Sequence, residues 1–241
     1  MSEPAAGSDR STWREAAVAR SIDPARARAE KRLQRFLDAA CELMAEAHGG
    51  EFTVQEVVER SGQSLRSFYQ YFGGKHELLL AMFEESVRSS AERLRVLVDE
   101  EADALGRLRR FTVEYHQLCR PDLGGLAAGR PRELAPAVPP IPALAGFAQQ
   151  LLTEHPREAA TAYVPLVALF EELLDAAAAA GAIRPGLQHR FVAGVVLQAI
   201  MFNSFAWTIG GRARLGGDPA QGLWDLVLRG VGLPDIGSSE K

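Results

Sequence analysis

Residues 53–79, TVQEVVERSGQSLRSFYQYFGGKHELL, decide the reading of this chain. Thr53-Val54-Gln55-Glu56 has the form of a capping box. The threonine hydroxyl accepts from the amide three residues on, and the glutamate reaches back to the first amide. Val54, Val57 and Val58 then give a short helix one buried side. Ser61-Gly62 ends it, because glycine adopts the positive φ of a tight turn without a Cβ penalty. A second short helix begins near Ser64, with Leu65, Phe68 and Phe72 facing inward at spacings of three and four. Gly73-Gly74 follows, and a long helix runs from Lys75 to about Val98.

Upstream, Leu33, Phe36, Leu37, Ala40, Cys41 and Met44 form the single stripe of an amphipathic helix, with Gly49-Gly50 as its stop. Downstream, helical patterns cover 105–120, 143–153, 157–180, 187–209 and 218–231. The last opens on Asp218-Pro219, an N-cap followed by proline at the first helical position. Residues 121–142 carry six prolines and read as a loop. Gly210-Gly211 and Gly216-Gly217 punctuate the end. No stretch has the period of a strand. The expectation is an all-α protein of about nine helices: an arm over 1–30, a three-helix domain over 31–76, and a larger helical domain over 77–241.

Composition bounds the function. The 241 residues are 47% hydrophobic and 24% charged, which excludes disorder as the dominant state. Cys41 and Cys119 are too few for a disulfide framework or a four-cysteine zinc site, and fit a reducing, cytoplasmic setting. The net charge is −4, yet residues 10–35 hold eight Lys/Arg against three Asp/Glu, a local +5. With no apolar run that could serve as a secretory signal, 1–30 reads as a flexible basic arm that docks on something anionic, Trp13 included, with a solvated tail of no binding role as the alternative. Residues 191–209 are apolar on both faces, but Gln198, Asn203, Ser204 and Thr208 interrupt them. A buried or interface helix is the better reading than a membrane span.

Two short helices across a glycine turn, preceded by a packing helix, form a helix-turn-helix candidate. The inward residues of the third helix leave Arg66, Ser67, Gln70 and Tyr71 on its opposite face. Arginine forks onto the guanine O6/N7 edge and glutamine onto the adenine N6/N7 edge, while hydroxyls suit phosphates. Ser64, Thr53 and Lys75 stand at helix heads, where free amides also favour phosphate. A solvated three-helix packing unit is the plain alternative.

The same residues resemble the DNA-binding signature of the TetR family of transcriptional regulators. The matching pieces are the Thr-Val opening, the Ser-Gly turn, Phe68-Tyr69-x-Tyr71-Phe72, and Lys75-x-x-Leu78-Leu79. The resemblance covers about residues 31–84. It implies that Tyr69 and Lys75 clamp phosphates, that Thr53 donates to one, and that Arg66, Ser67, Gln70 and Tyr71 face the major groove. Phe68 and Phe72 are core. Gln63 stands where an apolar residue usually closes the turn, and Gly74 replaces a side-chain cap.

The resemblance further implies a homodimer, with a C-terminal domain that binds a small, largely hydrophobic effector and releases double-stranded operator DNA. Phe111, Tyr115, Cys119, Tyr163, Val167, Phe170 and Asn203 are the expected pocket lining. Phe191, Val195, Gln198 and Phe202, with Trp224, Leu228 and Val231, are the expected dimer face. The alternative is an architectural or cell-cycle DNA-binding protein without an effector. No cofactor or metal is expected, since His48, His76, His116, His155 and His189 are scattered, with no i,i+4 pair. Nucleophile-elbow, P-loop and dinucleotide motifs are missing, which argues against an enzyme.

Overall fold

The computed structural model describes residues 9–46, 52–119, 144–209 and 218–232. Ten helices occupy them, and no named strand is present among them. They are α1 (Asp9–Glu46), α2 (Val54–Ser61), α3 (Leu65–Tyr71), α4 (Lys75–Asp99), α5 (Ala104–Leu118), α6 (Ala145–Glu154), α7 (Pro156–Ala162), α8 (Val164–Ala179), α9 (His189–Ile209) and α10 (Pro219–Val231). The chain divides into two compact units, Met1–Lys75 and His76–Lys241. The boundary falls after the first residue of α4.

The first unit is built on three phenylalanines. Phe36 of α1 meets Phe68 edge-on with ring centroids 5.5 Å apart, and Phe72 lies 5.3 Å from Phe68. Phe36 and Phe68 are completely buried, and Leu37, Ala40, Val57 and Val58 close around them. Arg60 fastens α2 to α1. Its two terminal nitrogens each lie 2.8 Å from a Glu46 oxygen, and Glu42 adds a third contact at 3.3 Å.

Two expectations differ from the structure. Residues 9–30 are helical rather than a flexible arm, forming the leading turns of α1. Alanine, arginine and glutamate are good helix formers, and Arg26–Glu30 adds an i,i+4 pair at 2.8 Å. Pro24 lies within this helix, and the Arg28 side chain donates to its carbonyl at 2.9 Å. Residues 1–8 and the side chain of Trp13 lie outside the described residues. So do the double glycines at 49–50, 210–211 and 216–217, and the proline-rich 121–142.

The single helix expected over 157–180 is two, α7 and α8, meeting at Tyr163. Pro165 explains the break. A proline has no N–H to donate to the carbonyl four residues back, yet it suits the first turn of a new helix.

In the second unit α5 packs against α8, α9 and α10, α9 lies along α8, and α6 adjoins α7. Leu94, Leu108, Phe111, Tyr115, Leu166, Phe170 and Leu174 are fully buried there. Gly181, at φ 64°, reverses the chain after α8. The following connector is tied to the end of α10 by an Arg184 N–H donating to the Val231 carbonyl at 2.9 Å.

Candidate nucleic-acid interface

The reading head is assembled by local hydrogen bonding. Thr53 caps α2: its hydroxyl accepts from the Glu56 amide at 3.2 Å, and the Glu56 carboxylate accepts from the Thr53 amide at 2.7 Å. At the other end Gly62 adopts φ 63°, and the Gln63 amide donates to the Val58 carbonyl at 3.3 Å, closing a Schellman turn. Gln63 itself is half-buried. Ser64 caps α3, accepting from the Ser67 amide at 3.1 Å. These caps hold two very short helices that propensity alone would leave marginal.

With Phe68 completely buried, the far side of α3 is directed outward. Ser64, Arg66, Tyr69 and Gln70 are exposed, while Ser67 and Tyr71 are half-buried. Tyr71 leans on Phe36 with centroids 6.2 Å apart, so its ring serves the core as much as the surface. Tyr69, edge-on to Phe68 at 5.5 Å, leaves 56% of its surface to solvent.

A second cluster joins the two helix heads. Lys75 Nζ sits 4.7 Å from the centre of the Phe52 ring, a cation–π contact, and lies within electrostatic reach of Glu56. The Thr53 hydroxyl donates to Glu56 Oε2 at 2.8 Å. Hydrogen bonds from the Thr53 backbone and then its side chain hold the Glu56 carboxyl below the usual carboxylate range. Thr53 and Lys75 thus both act on one carboxylate, that of the capping-box Glu56.

Five of the expected effector residues, Phe111, Tyr115, Cys119, Tyr163 and Phe170, come together in the second unit. Phe111 lies 4.8 Å from Phe170 and 5.8 Å from Tyr115, centroid to centroid. Cys119 and Tyr163 act electrostatically on the Tyr115 hydroxyl, but the thiol makes no hydrogen bond of normal geometry with it. Among the described residues that hydroxyl is buried without a partner. The Tyr163 hydroxyl donates to Met201 Sδ at 2.8 Å. Burial pushes both tyrosine hydroxyls up and the Cys119 thiol up to about 12. Val167 is half-buried, as is Asn203, whose Oδ1 is likewise a buried acceptor without a partner. Met201 and Phe83, whose ring is 5.3 Å from that of Tyr163, join this cluster without having been expected there.

On the expected dimer face, Phe191 (69%), Val195 (49%), Phe202 (62%) and Gln198 are exposed, all on one side of α9. Trp224 is a correction. It is buried in the single chain beside Leu223, Val227 and Val231, so it serves the subunit's own core, as does Val231. Leu228 is half-buried, and Leu226 is the exposed leucine of α10.

A capped helix pair with a glycine turn and a polar, outward third helix defines a helix-turn-helix DNA-binding protein. Residues 36–82 match the family model of bacterial regulatory proteins, tetR family. Residues 36–82 thus carry a DNA-binding domain of the tetR family type. A fatty acid metabolism regulator protein of Bacillus subtilis (strain 168) is 26% identical over 88 residues, which is 36% of this chain and 45% of that protein. The alignment thus spans less than half of that relative.

Three solved structures share the fold. The transcriptional regulator FadR of B. subtilis, in complex with stearoyl-CoA, superposes with a TM-score of 0.60 at 19% identity, over 81% of this chain and 97% of its own. FadR of Thermus thermophilus, a TetR-family repressor in complex with lauroyl-CoA, gives 0.61 at 19%, over 87% and 100%. A TetR-family regulator of Pectobacterium atrosepticum gives 0.62 at 20%, over 87% and 98%. Among the described residues no helix is long and apolar enough to cross a membrane.

Proposed function

We propose that this chain is a cytoplasmic, homodimeric transcriptional repressor that a long-chain acyl-CoA releases from its operator. The observation that carries the DNA half is the two-sidedness of α3, with Phe68 buried and Arg66, Tyr69 and Gln70 exposed. In this reading Arg66, Ser67, Gln70 and Tyr71 meet base edges, while Thr53, Ser64, Tyr69 and Lys75 hold the phosphate backbone. The basic leading turns of α1 add counterion-release affinity.

The effector half rests on the apolar cluster of Phe111, Tyr115, Cys119, Tyr163 and Phe170, and on relatives bound to stearoyl- and lauroyl-CoA. An acyl chain suits aromatic and aliphatic walls, and two buried polar atoms unpaired among the described residues, Tyr115 Oη and Asn203 Oδ1, would orient a polar end of the ligand. Phe111 of α5 and Phe170 of α8 stack with centroids 4.8 Å apart, so an acyl chain entering between them would part these helices. A ligand shifts DNA binding only by favouring one conformation over another. Helix α4 carries that change by chain continuity, since its first residue is Lys75 and its later turns belong to the second unit. The reading includes no catalytic step.

The exposed Phe191–Val195–Gln198–Phe202 side of α9 is the proposed dimer contact. An apolar stripe of this kind is costly to leave in water. The test is a mobility shift on operator DNA titrated with lauroyl-, palmitoyl- and stearoyl-CoA. Release at micromolar concentrations is expected, and DNA that stays bound at every chain length contradicts the acyl-CoA reading.

A further inference from the structure

Chain topology brings two of the scattered histidines together. His76, the second residue of α4, places Nε2 2.7 Å from Glu158 Oε2 in the first turn of α7. His155, in the break between α6 and α7, places Nδ1 3.6 Å from the other Glu158 oxygen. The imidazole rings are 4.6 Å apart, and one donor atom from each residue lies within 4.8 Å of the others. All three residues belong to the second unit.

We infer that His76, His155 and Glu158 form a binding site for one divalent transition-metal ion of the zinc and cobalt class. Two imidazoles and one carboxylate are the ligand types such ions prefer, and three protein ligands leave the fourth position to water. A tetrahedral ion with bonds of about 2.0–2.2 Å holds its ligand atoms roughly 3.3–3.6 Å apart. The observed separations bracket that value, so side-chain rotation without backbone movement closes the site.

The surroundings favour this geometry. Glu158 occupies the position from which a glutamate ordinarily reaches back to the N-cap amide. The His155 amide is already donating to the Leu151 carbonyl at 2.9 Å, which leaves Glu158 to turn toward His76. Phe147 stands edge-on to His76 with centroids 5.5 Å apart and packs beside its ring. The side chains of all three residues are 37–40% exposed, so an ion has an entry path without unfolding. A bound ion would pin the first turn of α4 to the α6–α7 break, with His76 directly bonded to Lys75 of the reading head.

The test uses the full chain, stripped with a chelator, and Zn²⁺ titrated against a chromophoric competitor. Co²⁺ absorption then reports coordination directly. One ion per chain is expected, with affinity lowered at least ~10-fold by H155A and by E158Q and unchanged by H189A. E158Q is isosteric, and circular dichroism verifies that each variant keeps its helices. Co²⁺ should show the visible bands of a four- or five-coordinate site. No saturable binding, a smaller loss in either H155A or E158Q, or an equal loss in H189A overturns the inference.

Discussion

Thr53 and Glu56 hold each other through three hydrogen bonds: amide to carboxylate at 2.7 Å, hydroxyl to carboxylate at 2.8 Å, and amide to hydroxyl at 3.2 Å. The hydroxyl proton proposed for a DNA phosphate is therefore already given to Glu56, whose charge lies beside that hydroxyl. Binding must turn that carboxylate aside. T53A should cost about 1 kcal/mol of stability as a lost N-cap and should weaken duplex binding. E56Q, which removes the competing charge, should tighten duplex binding a few-fold at low salt. Weaker binding by E56Q contradicts this arrangement.

The same pair makes the α2 cap sensitive to acid. Because the Glu56 carboxyl is held below its ordinary range, its contribution is complete above the unfolded value near ~4.3 and is lost as pH falls through the folded value. Thermal unfolding followed from pH 7 to pH 3 should show wild type losing stability below about pH 4 more steeply than E56Q.

The two classes of DNA contact separate by salt. R66A and Q70A should each lower affinity for the selected operator ~5- to 150-fold and relax base preference, with the salt dependence unchanged. K75A should weaken every duplex alike and reduce the slope of log affinity against log salt by about 1. Equal effects of R66A on operator and random DNA contradict the assignment to bases.

Buried chemistry sets opposite expectations for two core rings. F68A removes the ring on which both Phe36 and Phe72 pack and should cost about 3–5 kcal/mol. Y115F deletes a buried hydroxyl that has no partner among the described residues, and should stabilise the protein by roughly 1 kcal/mol in chemical denaturation. The same change should alter effector affinity if that hydroxyl meets the ligand.

The Cys119 thiol, pushed up to about 12 by burial, should resist a thiol reagent at pH 8 until the protein unfolds. Its linkage runs the other way from that of Glu56. The buried thiol's contribution is complete below about pH 9 and is lost as pH rises toward the folded value. Rapid labelling of Cys119 in the folded state would contradict the packing described.

For the dimer, F202E and F191E place charge on the exposed side of α9 without touching the subunit core. Sedimentation should show each as a monomer with normal helical content and much reduced affinity for a two-half-site duplex.

The reading head was legible because its signals are local. A capping box, a positive-φ glycine and phenylalanines at helical spacing all lie within 20 residues of one another. The break at Tyr163 was legible too, in Pro165, but the continuous apolar stripe on either side masked it. Trp224 was placed at the interface because a helix apolar on more than one face does not say which face meets its own core. The meeting of His76 with Glu158 has no local signature, since 82 residues separate them and only the packing of α4 against the α6–α7 break joins them.

The central claim is that the outward side of α3 reads a duplex sequence. Selecting bound duplexes from a random pool, with wild type and R66A/Q70A side by side, tests it most directly. Wild type should enrich a near-palindrome with half-sites about one helical turn apart, ~34–36 Å centre to centre, and the double variant should lose that preference. A pool that stays random with wild type, or an identical motif from both proteins, would contradict it.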